Sequence, residues 1–122
     1  MLGESDLYGT LFGSADVGIH SCAVALESGD PGRAAHEGAA LRLPVGIAGP
    51  RAGHHWQDVG RAWLLIGQPD KALDSLISAR RVAPQQTRLH PSVCETLHVI
   101  AATQRRQTDT LVGFASWVGA SL

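Results

Sequence analysis

The alternation of large and small residues in the stretch HHWQDVGRAW, residues 54–63, limits how this chain can fold more than any other feature. Trp56, Val59, Gly60 and Trp63 recur at helical spacing, and Gly67 follows as a turn residue. Ala72, Leu76 and Ala79 then line one side of a second helix that Pro84 stops. Small residues at Gly60 and Ala72 let two helix backbones approach closely, while Trp56, Trp63 and Leu76 fill the space between them. Pro84 cannot continue the helical hydrogen-bond ladder. The spacing therefore predicts two packed antiparallel helices joined by a short turn.

The rest of the chain carries the same punctuation. From Ala15 onward, Val17, Ile19, Ala23, Val24 and Leu26 recur at helical spacing and run into the breaker SGDPG at residues 28–32. Pro31 suits the first turn of a second helix, which continues through Ala34, Ala35, Ala39, Ala40 and Leu41 and breaks at LPVGIAGP, residues 43–50. A third helix is expected over about 52–66 and a fourth after GQPD. A fifth begins at Pro91, and a shorter sixth holds Leu111, Phe114 and Trp117. Strand alternation is absent, so the fold is expected to be all-α, with about six helices in one domain spanning 1–122. Residues 1–14, where Gly3, Gly9 and Gly13 interrupt Leu7, Tyr8, Leu11 and Phe12, are expected to form an extended N-terminal arm.

The stretch 50–84 fills nearly every slot of the tetratricopeptide pattern, a helix-pair repeat of roughly 34 residues. Val59 and Trp63 are mild exchanges within it. The stretch 15–42 reads as a degenerate copy, with Gly29 and Ala34 standing 38 residues before Gly67 and Ala72. It departs from the pattern at Gly18, Ala25 and Gly38, which occupy slots for large residues. Residues 91–119 are expected to cap the array. The segments GESDLYGTLFG, ALESGDPGRA, GQPDKALDSLISARRVAPQQTRLHP and QRRQTDTL resemble the C-terminal tetratricopeptide-like region of bacterial helix-turn-helix transcriptional regulators of the XRE type. The resemblance implies a sensory or oligomerisation module. The DNA-binding domain of such regulators has no counterpart here, so DNA binding does not carry over.

Composition narrows the classes further. With 17% charged residues and a formal net charge of −1, the chain has little general attraction for nucleic acid phosphates. Residues 1–41 carry six acids against Arg33 alone, whereas 42–122 carry nine bases against five acids. Solvated helix surfaces account for this asymmetry, with an acidic partner for the basic end as the alternative. No apolar run suffices to span a membrane, and the N-terminus lacks the pattern of a signal peptide, so a cytoplasmic location is expected. Cys22 and Cys94 fit no C-x-x-C spacing and are expected to be buried free thiols.

Tetratricopeptide modules commonly recognise partners on the inner faces of their first helices. The register places His54, Gln57, Arg61 and Leu64 there in the clear repeat, and Asp16, Ile19 and Ala23 in the degenerate one. Glu95 and His98 are expected to add to the same groove, which suits a protein or peptide partner or a compact effector. His54 with Asp58, and Cys94 with His98, are i, i+4 pairs, but neither makes a metal site, and no H-E-x-x-H motif is present. His36-Glu37 lacks a partner for acid–base chemistry, and no G-x-S-x-G elbow is present. The chain is therefore expected to bind rather than catalyse and to need no cofactor, the alternative being a free-standing small-molecule binder or small enzyme. Because repeat arrays normally need three or more units, a homodimer is expected, using the apolar tail LVGFASWVGASL. The intramolecular alternative folds that tail onto the helix that begins at Pro91.

Overall fold

The computed structural model describes residues 4–47, 49–103 and 109–120, with side chains from Gly13 onward. The described residues form seven helices and no strand: α1 (Glu4–Glu27), α2 (Pro31–Ala40), α3 (Gly49–Leu65), α4 (Pro69–Val82), α5 (Pro84–Leu89), α6 (Pro91–Thr103) and α7 (Asp109–Val118). The chain is thus all-helical, as its periodicity predicts.

The first correction concerns residues 4–14, which continue α1 as helix instead of forming an extended arm. Interior glycines cost a helix only about 0.5–1 kcal/mol each relative to alanine. No proline precedes Pro31, so nothing in this stretch removes a helical hydrogen bond. The second correction adds a helix. Pro84 ends α4, but it also opens α5: Ala83 caps both helices, and its carbonyl accepts the Thr87 N–H at 2.9 Å. The missing N–H of a proline costs nothing in a first helical turn, so the residue that stops one helix starts the next.

Two turns have the same construction 38 residues apart. Gly29 and Gly67 adopt φ of +85° and +80°, a region open to glycine at little cost. After each comes a cap residue of matching geometry, Asp30 (φ −117°, ψ 67°) and Gln68 (φ −118°, ψ 70°), and then a proline. The Asp30 N–H donates to the Ala25 carbonyl at 2.8 Å, and the Gln68 N–H to that of Trp63 at 2.9 Å. Asp30 also accepts the Arg33 N–H through its side chain, which Gln68 does not match.

The core runs through every layer. Val59, Leu76, Val93, Leu97, Ile100, Leu111 and Phe114 are fully buried, and Trp63 nearly so. α3 packs against α4, α2, α1 and α6, which makes it the central element. A Cβ on Gly60 would lie 3.3 Å from the Ala72 carbonyl oxygen and 3.4 Å from Leu76 Cδ2, so the close α3–α4 approach predicted at Gly60 and Ala72 is present. α7 buries Leu111, Phe114 and Ala115, packs against α6 and α5, and is clamped by the Arg80 guanidinium 4.5 Å from the Trp117 ring. The described part of the tail thus packs within the chain, on α6 and α5. Cys22 is buried and free; Cys94 is also free but only half-buried.

Candidate binding groove

On α3, residues 54, 58, 61 and 65 share one face by helical spacing. His54 is exposed, and its Nε2 lies 3.7 Å from Oδ2 of the buried Asp58. Burial pushes the Asp58 carboxyl above the ordinary carboxylate value, and Glu27 adds to the rise, while His54, Arg61 and His55 pull the other way. The His54 ring also approaches that of His90, with 6.1 Å between centroids, and His90 Nδ1 accepts the Ser92 N–H at 3.2 Å.

Further along that face, Arg61, Leu64 and Leu65 meet Glu95, Thr96 and Val99 of α6 around a cleft of about 160 Å³. Leu65 is 64% exposed and Val99 47%, so apolar surface stays open to solvent. Three expected site residues, Arg61, Leu64 and Glu95, are therefore brought together. Leu65, Thr96 and Val99 were missed. For Val99 the signal was its i, i+4 spacing from Glu95; Leu65 reads simply as the apolar end of α3.

Gln57 is a correction. It is 2% exposed, and its Nε2 donates to Gln86 Oε1 at 2.8 Å and to Thr87 Oγ1 at 3.3 Å. It fastens α3 to α5 and is not free to contact a ligand. The cause is the unforeseen α5, which covers the side of α3 that Gln57 occupies. Asp16 is engaged elsewhere, in an ion pair with Arg51 Nε at 3.0 Å beside a separate cleft that includes Val17, His20 and Val24. Ile19 and Ala23 are half-buried on α1 and do not line the α3–α6 cleft. His98 is exposed on α6, its Nδ1 3.7 Å from Cys94 Sγ.

His55, adjacent to His54, has a different role. It is 1% exposed, and its Nε2 meets the Gly38 carbonyl at 3.0 Å. Nδ1 is buried without a hydrogen-bond partner. The neutral ring with Nε2–H donating fits this setting, and burial lowers the pKa from the ordinary 6.5. The Cys22 thiol donates to the Ala34 carbonyl at 3.4 Å, and burial raises its pKa to about 11. A thiol held protonated is a poor nucleophile and packs as a small apolar group.

The remaining chemical groups are dispersed. The His36 ring stands edge-on to Trp63, 5.0 Å between centroids, away from the His54 face. Among the described residues, no three His, Cys, Asp or Glu side chains gather as a metal site would require, and no helix is long and apolar enough to cross a membrane. Comparison of the chain with protein-family models, curated proteins and solved structures found no match.

Proposed function

We propose that the chain is an interaction module of tetratricopeptide-like type, in which two helix pairs and a cap present the His54–Arg61 face of α3 and the Glu95 face of α6 to a protein or peptide partner. The repeat reading is supported by the two turns at Gly29 and Gly67, which share dihedrals, caps and hydrogen bonds. The binding reading rests on one observation. The α3–α6 cleft sets a guanidinium, Arg61, and a carboxylate, Glu95, around exposed Leu65 and Val99 without pairing the two charges to each other. Apolar surface flanked by separate donors and acceptors suits an extended or helical peptide better than a reaction centre. A regulatory setting, in which the module acts on an attached or partnered DNA-binding domain, agrees with the XRE-type resemblance and with the low net charge. Binding without catalysis agrees with the separation of His36 from His54.

Native mass spectrometry of the protein purified from its own cells tests this reading, with Arg61→Glu and Arg88→Glu forms in parallel. A companion polypeptide, or a second copy, that is lost in Arg61→Glu and retained in Arg88→Glu is the expected result. A bare chain in every sample, or a companion indifferent to Arg61, overturns the groove assignment.

A further inference from the structure

The opposite side of α3 carries a second cleft of different character. Residues 52 and 56 lie roughly half a helical turn around from residues 54, 58 and 61. There, Leu43, Pro44 and Ile47 of the α2–α3 connection arch over Ala52, Trp56 and Val82 and enclose a cleft of about 800 Å³. The arch is pinned at both ends. Leu41 packs onto Gly18, where a Cβ would lie 2.5 Å from Leu41 Cδ1, and Gly49 sits against the Val82 carbonyl, where a Cβ would lie 2.7 Å from the oxygen. Between these anchors the connection does not collapse onto Trp56, and Leu43, Pro44, Ile47 and Trp56 remain only half-buried. Apolar side chains around an open space of this size are what small-molecule sites are built from, with a few polar groups to fix orientation.

Charge also marks this cleft. Arg42 lines it, is exposed, and among the described residues makes no ion pair; no carboxylate lines the cleft. Most cations beside the other clefts are differently placed: Arg51 is paired with Asp16, Arg61 shares its cleft with Glu95, Lys71 lies over Trp63 beside Asp74, and Arg80 stacks on Trp117. Arg81 also makes no ion pair among the described residues, but it lines a smaller cleft, of about 430 Å³, together with Arg80. An unpaired guanidinium at an apolar cavity favours a ligand with an apolar body and one negative charge.

We propose that this cleft binds a small amphipathic carboxylate, its apolar chain against Trp56 and Val82 and its carboxylate on Arg42. The site is independent of the α3–α6 groove, and either can fail without the other. Decanoate, decanol and decylamine are the probes, each below its solubility or micelle limit, followed by titration calorimetry and tryptophan fluorescence on the full chain. Decanoate should bind more tightly than the other two. Arg42→Gln, an exposed substitution, should weaken decanoate about tenfold, as expected for loss of a charge-assisted contact, and leave decanol unchanged. Arg88→Gln on α5 should change neither. Absence of decanoate binding, equal affinity for all three probes, or equal weakening by the two arginine substitutions would overturn the proposal.

Discussion

The two helix pairs are joined by the same turn and filled by opposite choices of side chain. In the second pair Gly60 on α3 is the small residue, and Leu76 on α4 is the large one beside it. Thirty-eight residues earlier the corresponding positions are Cys22 and Gly38, and now the second helix supplies the glycine: a Cβ on Gly38 would lie 2.7 Å from Cys22 Sγ and 2.7 Å from Val59 Cγ2. The exchange recurs one layer away. Trp56 and Ala79 correspond to Gly18 and Leu41, and Leu41 fills the space that Gly18 leaves. Close packing requires complementary volumes at a contact, and it is indifferent to which helix provides the larger side chain.

The largest expected effect comes from forcing the first pair into the order of the second. Gly38→Leu should destabilise the chain by about 3 kcal/mol or more in urea denaturation, because Cys22, Val59 and His55 occupy the space. Adding Cys22→Gly should return part of that loss; no return would mean that Val59 sets the limit, and the exchange would then be incidental.

Gln57→Leu tests the anchoring of the second pair to α5. It leaves the Gln86 carbonyl oxygen and the buried Thr87 hydroxyl without their present donor, at a cost of about 1–3 kcal/mol. A neutral effect would show that α5 is held by apolar contacts alone. The turns offer a sharper comparison. Gly29→Ala and Gly67→Ala should each cost about 1–2 kcal/mol, and by similar amounts, because both residues hold positive φ with no neighbour within 4 Å of an added Cβ. Clearly unequal costs would break the equivalence.

The smallest effect is the pH dependence of the His55 contact with Gly38. Because the folded pKa lies below the ordinary 6.5, the unfolded chain takes up a proton first as the pH falls. Stability should therefore decline from pH 6.5 down to the folded value and level off below it. Asp58 acts in the opposite sense: its raised pKa favours the folded state as its carboxyl takes up a proton. Denaturation across this range, with His55→Gln as the reference, should show a shallower acid-side decline in the variant; identical slopes would remove His55 as the cause.

The glycines and prolines at Gly29, Pro31, Gly67, Pro69, Pro84 and Pro91 made the helix boundaries legible, because backbone freedom and a missing N–H act locally. The small–large spacing of residues 56–76 likewise announced the α3–α4 contact. Chemistry at neighbouring positions was not legible. Within the contiguous run His54-His55-Trp56-Gln57-Asp58, one histidine is solvated, the next is buried on a carbonyl, and the glutamine is tied to α5. Successive residues point about 100° apart around a helix, so each faces a different neighbour.

Sequence by itself thus determined the helical class, most of the boundaries and the two glycine turns, all of which follow from interactions within a few residues. Tertiary structure alone decided that Gly38 is a packing position and Gln57 a fastening. It also left Arg61 and Glu95 around one cleft and Arg42 at another. Those outcomes depend on which distant side chains fill or vacate the space around α3, and no local pattern encodes that.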